Sequence, residues 1–279
     1  MKSKLMKSKL LILAGLVVMN LPLTAQAHRL WLLPAATVLS GEKPWVTVDA
    51  AVSNDIFYFN HHSLKVDSLK VTAPDGSDLA IQNVSVGKHR TVFDLELTQG
   101  GTYKLAMASA GLQARWETEE GERRFWPGRG ETPAPGEFDT AVPKDAKNLK
   151  VSHSSRRMET FITAGAPTES VLEVTGKGLE MQPLTHPNDL YNGEEARFRF
   201  LMDGEPTEGV KITLIRDGSR YRNSPEALEL VTGEDGLIVV EWSQAGMYWL
   251  EAEYEDDRAR APATLRKGGY IATLEVLPQ

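Results

Sequence analysis

The chain of 279 residues contains no cysteine. This absence excludes disulfide bonds, thiolate zinc sites, iron–sulfur clusters and a cysteine nucleophile. The chain also lacks a run of about 20 apolar residues, the length that a membrane-spanning helix needs. Basic residues are the minority: the formal net charge is −7, which disfavours nucleic acid as a partner. The hydrophobic content of 41% is that of a globular protein, so we expect the chain to fold around an apolar core.

Enzyme signatures are missing as well. There is no G-x-S-x-G nucleophile motif, no phosphate-binding P-loop and no H-E-x-x-H metalloprotease motif. Gly128 and Gly130 lack the strand and helix that would flank them in a dinucleotide site. We therefore predict a protein that is not an enzyme.

The first 27 residues have the pattern of a secretory signal peptide. Four lysines lie within the first ten residues, an apolar run begins at Leu10, and an A-x-A cleavage site ends at Ala27. A membrane anchor is the alternative, but the apolar run is too short and Asn20 and Pro22 interrupt it. We predict cleavage after Ala27 and a periplasmic location. Cleavage removes four lysines and no acidic residue, so the formal charge falls from −7 to about −11.

The mature chain shows short apolar or alternating runs in place of helical periodicity. In the first part, residues 28–111, they predict the strands of an antiparallel β-sandwich. These runs are residues 30–33, 45–52, 69–73, 79–86, 91–97 and 102–108.

A second set of runs occupies residues 168–279. Asp-Gly pairs begin at Asp203, Asp217 and Asp235, and each predicts a tight turn because glycine readily adopts the positive φ that such turns need. We predict a second, immunoglobulin-like β-sandwich here. Its predicted strands are residues 171–174, 196–202, 210–216, 228–231, 237–242, 246–254 and 270–276.

Residues 112–167 lie between the two predicted sandwiches. The density of proline and glycine around residues 126–136 predicts an irregular linker, with one possible strand at residues 156–163. The predicted fold class is thus all-β, with a signal peptide followed by two immunoglobulin-like antiparallel sandwiches and a long irregular segment between them.

Histidine is the main candidate for chemistry. After cleavage, His28 becomes the first residue, and its α-amine and Nδ1 can then chelate one metal ion together. The free amine has a pKa near ~7.7–8.0 and loses its proton readily to a metal. His61 and His62 are adjacent, so they share a face only if they lie on a turn. Our predicted metal ligands are His28, His61 and His62, a nitrogen set that suits Ni²⁺, Co²⁺ or Cu²⁺. By contrast, His186 precedes Pro187 and is interpreted as part of a turn.

Several stretches resemble the DUF4198 family of exported bacterial proteins, which are described as periplasmic components of nickel or cobalt uptake. The first is residues 27–34, AHRLWLLP, at the mature start. The others are residues 183–185, 192–194, 198–206, 235–236, 246–250 and 270–274. The resemblance implies an exported two-domain β protein linked to transition-metal handling, with a C-terminal half like the carboxypeptidase-regulatory or immunoglobulin-like module. Of the candidate ligands, only His28 corresponds to the family pattern.

Three functions follow from these observations. The first is periplasmic capture of Ni²⁺ or Co²⁺, with Cu²⁺ as a third candidate, for an uptake system with an inner-membrane permease or a TonB-type receptor. The second is a non-catalytic adaptor that engages a membrane transporter, a receptor or a glycan. The third is a copper oxygenase with a histidine brace at His28.

Overall fold

The computed structural model describes residues 28–128 and 130–279, so the predicted signal peptide lies outside the described residues. These residues form almost entirely β structure. The strands are β1 (Arg29–Pro34), β2 (Val38–Leu39), β3 (Trp45–Ser53), β4 (His62–Ser63), β5 (Lys70–Thr72), β6 (Gln82–Val86), β7 (Thr91–Glu96), β8 (Gly101–Glu117), β9 (Arg123–Trp126), β10 (Lys147–Ala164), β11 (Leu179–Pro183), β12 (Glu195–Met202), β13 (Glu205–Pro206), β14 (Lys211–Arg216), β15 (Leu228–Val231), β16 (Leu237–Glu241), β17 (Gly246–Asp256) and β18 (Leu265–Val276). One short helix, α1 (Phe138–Ala141), and a 3₁₀ turn at Ser219–Tyr221 interrupt them. No described helix is long and apolar enough to cross a membrane.

The strands form three sheets. The first has the order β1-β3-β7-β6, with β4 paired to β3; the third has the order β11-β12-β13, with β16 paired to β12. Between them lies a nine-stranded sheet with the main order β15-β14-β17-β18-β10-β8-β5. Most pairs are antiparallel, although β10 runs parallel to β18. The predicted all-β, immunoglobulin-like sandwich class is confirmed.

The inner part of the central sheet is buried on both faces, which explains how two sandwiches arise from three sheets. On β17, Trp249 belongs to the core under the first sheet, whereas its neighbour Leu250 belongs to the core under the third. Ile271 and Tyr270 on β18 divide in the same way. Adjacent strand residues point to opposite faces, so one sheet serves both cores. The two predicted sandwiches therefore share a central sheet.

The predicted irregular linker is wrong in its main feature. Residues 112–167 include the ends of β8, all of β9 and all of β10. Strands β8 and β10 pair along sixteen positions and form the middle of the central sheet. The predicted strand at residues 156–163 lies inside β10, which is much longer. Residues 127–128 and 130–146 keep the loop character that their proline and glycine content predicts, apart from α1.

One buried ionic network links three strands of the central and third sheets. Arg157 on β10 lies 3.2 Å from carboxylate oxygens of both Glu159 and Glu180. The Tyr270 hydroxyl on β18 donates a hydrogen bond of 2.9 Å to Glu159. Burial, together with the Glu159 carboxylate, raises the pKa of Tyr270 well above its ordinary value. All four side chains are almost inaccessible to solvent, so each depends on its partners.

Candidate functional site

The loop that follows β3 carries two of the predicted ligands, and side-chain hydrogen bonds fix its shape. The Ser53 hydroxyl donates to the side-chain oxygen of Asn60, and the backbone N–H of Asn60 donates back to the same hydroxyl at 3.2 Å. The backbone N–H of Asn54 also donates to that Asn60 oxygen, at 3.1 Å. The loop therefore closes on itself immediately before His61.

Aromatic packing holds the same loop against the rest of the protein. Phe57 and Phe59 pack against the buried Trp31, with ring centroids 5.7 and 6.3 Å away. Tyr58, which points elsewhere, stacks under the guanidinium of Arg220 at 3.8 Å. Arg220 belongs to the loop after β14. Contacts from both halves of the chain therefore hold the loop in place.

His28 is positioned by the strand that begins one residue later. Arg29 on β1 is paired with Ser53 on β3, which places His28 beside the start of the loop. The indole N–H of Trp249 donates to the backbone carbonyl of Leu30 at 2.9 Å, and the Arg29 guanidinium lies 5.3 Å from the Trp249 ring centroid. β1 is therefore held both by its pairing with β3 and by these two contacts with Trp249 of the central sheet.

All three predicted ligands come together. The imidazoles of His28 and His61 are stacked, with centroids 4.0 Å apart and an angle of 22° between their planes. The rings of His61 and His62 are tilted at 55° with centroids 4.7 Å apart. His28 and His62 are exposed to solvent, and His61 is half-buried. Three imidazoles thus form one cluster, the His cluster, at the end of the first sheet.

Two backbone carbonyls determine which ring nitrogens are available. His62 Nδ1 lies 2.8 Å from the carbonyl oxygen of Ser63, and His89 Nδ1 lies 3.0 Å from that of His61. A carbonyl can only accept, so each Nδ1 carries the proton and each Nε2 keeps its lone pair when the ring is neutral. This is the arrangement that orients histidine ligands in metal sites.

His89 was not among the predicted ligands, yet its ring contacts the His cluster through the backbone carbonyl of His61. The turn that contains His89 joins β6 to β7, and β7 begins on the side of β3 where β4 ends. The two ends meet: the Ser63 N–H donates to the Lys88 carbonyl at 3.2 Å. Only this pairing of distant segments brings His89 to the His61 backbone, and no local signal in the sequence encodes it.

The three imidazole rings of the His cluster lie close together, but they are not yet arranged around a common metal position. Among the described residues, no three His, Asp or Glu side chains already surround a common point as metal ligands would. Two nitrogens on a tetrahedral ion with bonds of ~2.0–2.1 Å lie about 3.4 Å apart. The stacked rings of His28 and His61 have the proximity but not the orientation, so binding needs rotation of side chains. The exposure of His28 and His62 permits it.

The remaining histidines lie elsewhere. The Asn188 backbone N–H donates to Nδ1 of His186 at 3.1 Å, so Nε2 carries the proton and donates to the Thr168 carbonyl at 3.2 Å. Burial lowers the pKa of His186, and this effect exceeds the opposite one of the Thr168 carbonyl and nearby acidic groups. Both ring nitrogens are occupied, as the turn interpretation requires. His153 is an exposed residue of β10.

Comparison with known protein families identifies the family to which this chain belongs. The family DUF4198, a domain of unknown function, matches residues 25–256. The chain belongs to the DUF4198 family. The match confirms the family resemblance and covers residues 27–34 and the C-terminal runs as far as residue 250; the run at residues 270–274 lies beyond it. A search of curated proteins gives no match.

Solved structures similar to this DUF4198 protein are distant in sequence. The D0-D1 domain of intimin is 9% identical, with a TM-score of 0.21, and the similarity covers 88% of this chain and 97% of the intimin chain. A DUF3823 family protein from Bacteroides uniformis is 9% identical, with a TM-score of 0.22, over 78% of this chain and 93% of the other.

Proposed function

We propose that this DUF4198 protein is a periplasmic transition-metal-binding protein that captures Ni²⁺ or Co²⁺, with Cu²⁺ as a third candidate, for metal uptake. The observation that carries the proposal is the stacking of His28 on His61 at 4.0 Å with His62 beside them. The segments that carry His28 and His61 are more than thirty residues apart in sequence and meet at this point. The loop before His61 is closed by its own hydrogen bonds, which hold that segment in place.

His28 is the principal ligand in this proposal. Once Ala27 is removed, its α-amine and one ring nitrogen can bind the same ion, and His61 and His62 add imidazole nitrogens. The Nδ1 contact of His62 leaves its Nε2 as the metal-binding atom. Nitrogen ligands suit these divalent ions, and Cu²⁺ should bind most tightly in vitro whichever ion is physiological.

The acidic surface supports the same function. With a charge of about −11 after cleavage, the protein attracts cations and repels other anions. In this proposal the protein hands its ion to an inner-membrane permease or a TonB-type receptor. The transport step itself belongs to that partner in this proposal.

The test is a titration of the mature protein, starting at His28, with Ni²⁺, Co²⁺ and Cu²⁺ by calorimetry. A form extended by one glycine before His28 should lose about 100-fold or more in affinity, above the ~10–100-fold that outer-shell changes cost, because its amine is no longer next to the imidazole. His61→Ala should weaken binding similarly. His153→Ala, an exposed histidine on β10, is the matched control and should bind as the parent does.

Unchanged affinity in the extended form would exclude the terminal chelate. Equal loss in His153→Ala would show that the metals bind histidines nonspecifically. Binding should also weaken as the pH falls, since protonated imidazoles cannot coordinate a metal.

A further inference from the structure

The exposed part of the central sheet forms an open groove away from the His cluster. On the face covered by the first sheet, Met158 and Ile271 are buried in the core. Two residues earlier on the same strands and the same face, Arg156 and Gly269 line a groove of about 740 Å³. A second hollow of about 630 Å³ continues it and shares Arg156, Gln113 and Lys267. The floor extends ~20 Å along β10, from Arg156 to Lys150, at ~3.3 Å per residue.

The larger hollow is lined mostly by polar groups: small hydroxyl and amide side chains lie among charged side chains of both signs, which are Arg156, Lys211, Lys267, Glu253 and Glu255. Ser109, Ser154 and Gln113 supply hydroxyl and amide groups. At Gly269, a Cβ would lie 3.9 Å from Nε of Arg156, so any larger side chain would enter the groove beside the guanidinium. The larger hollow therefore offers hydrogen-bonding groups and room, whereas apolar side chains are concentrated in the second hollow, around Phe125 and Trp126.

The groove ends in a row of side chains across three strands. Lys150 on β10 is paired with Arg115 on β8, and Arg115 is paired with Phe125 on β9. Like charges directly opposite each other destabilise a sheet. Among the described residues, no carboxylate lies within salt-bridge distance of either cation. An unpaired Arg–Lys couple on a protein of net negative charge indicates an anionic ligand.

Nearby groups extend the positive potential. Lys267 pairs with Glu255 at 2.5 Å. The hydrogen bond and charge of Lys267 lower the pKa of Glu255, and the charges of Arg115 and Lys150 lower it further. All three cations therefore lie close enough to act on the same carboxylate. Phe125 stands beside them with 65% of its surface exposed. An exposed aromatic ring next to unpaired cations is suited to a ligand with both a flat apolar surface and negative charge.

We propose that this groove binds an acidic oligosaccharide. The ring of Phe125 contacts the C–H face of one sugar, Arg115 and Lys150 bind its carboxylate or phosphate, and the Ser and Gln side chains of the floor bind its hydroxyls. A peptide added as a strand would need a free sheet edge, but the groove lies on a sheet face. A lipid or an apolar helix would need an apolar lining. Nucleic acid would need a more continuous basic surface.

The experiment measures binding of fluorescently labelled oligogalacturonate and of a phosphorylated oligosaccharide to the mature protein. A neutral maltohexaose and a poly-glutamate peptide serve as comparison ligands. Arg115→Gln/Lys150→Gln should weaken binding of the acidic sugars about tenfold or more, because charge-assisted hydrogen bonds are lost. Phe125→Ser should weaken it about fivefold through loss of the ring contact. Binding should also fall with added salt.

Lys65→Gln/Lys70→Gln is the matched control, since it removes two exposed cations from another part of the surface. It should bind as the parent does. An equal loss in this control, equal binding of maltohexaose, tighter binding of poly-glutamate, or no binding of either acidic sugar would each overturn the proposal. The proposal is independent of metal binding: both pairs of variants should bind Ni²⁺ with unchanged affinity.

Discussion

The hydrogen bonds of each histidine show whether its ring nitrogens are used within the fold or are available to a ligand. His186 uses both ring nitrogens within the fold, whereas His62 and His89 each use only Nδ1. A histidine with an unbonded Nε2 can serve as a ligand, and one with two bonded nitrogens is structural. The sequence predicted the first three ligands from the mature N-terminus and the His-His pair. It could not predict His89, whose contact depends on the pairing of β4 and β7 with β3.

His89 is expected to act as a positioning residue for His61. His89→Ala removes the donor to the His61 carbonyl and should reduce Ni²⁺ affinity about tenfold, within the ~10–100-fold range of outer-shell substitutions. His89→Gln keeps an N–H donor near that carbonyl and should restore most of the affinity. Calorimetric titration of both variants is the measurement. Failure of glutamine to rescue would point to His89 as a direct ligand, and no loss in the alanine variant would remove its role.

His186 should make stability depend on pH. Its pKa is lowered in the folded protein, so the unfolded chain takes up a proton first as the pH falls below 6.5. Stability from this residue is complete above that pH and decreases as the pH drops towards the lowered pKa. Urea unfolding at about pH 7.5 and pH 5.0 should show a loss that is smaller in His186→Asn, whose amide oxygen can still accept from Asn188. Equal pH dependence in the two proteins would contradict this role.

At the level of strands, apolar patterning predicts those parts of the sheets that face a core. Strand β3 alternates buried and exposed residues from Trp45 to Ala50 and was predicted almost completely. The outer half of β10, KNLKVSHSS, was taken for linker because one of its faces lines the polar groove and offers no apolar repeat. The polar lining of this groove thus explains why these residues were predicted as linker. The same groove is the proposed oligosaccharide site. Strand β11 was missed, and residues 171–174 are not a strand.

The network of Arg157 should be essential to the contact between β10 and β11. Arg157→Met leaves Glu159 and Glu180 buried without their cation, and should cost about 3–5 kcal/mol of unfolding free energy. Arg124→Met removes an exposed ion pair with Glu122 and should cost only about 0–1 kcal/mol. Urea unfolding followed by tryptophan fluorescence measures both. A change in Arg157→Met as small as that in Arg124→Met would mean that the network adds no stability.

For the molecule as a whole, the shared central sheet should make folding cooperative. Neither core is complete without strands from the other half, since Trp249 and Ile271 lie in the first core and Phe161 lies in the second. We expect one urea transition that has the same midpoint by far-UV circular dichroism and by fluorescence. A fragment of residues 28–167 should fail to fold, because β10 loses its partner β18. Two separate transitions, or a folded fragment, would show independent domains.

The hydrogen bond from Trp249 to Leu30 joins residues 219 positions apart. In the proposed export to the periplasm, the chain would cross the membrane N-terminus first, so the segment that carries His28 would arrive before the rest. Trp249, which holds it, would arrive near the end, with β17. Contacts of such long range form late because the loop between them must close first. Under the proposed function, the contact that holds β1 against the central sheet would therefore form only when nearly the whole polypeptide has been exported, and a partly translocated chain would lack this support for its metal-binding N-terminus.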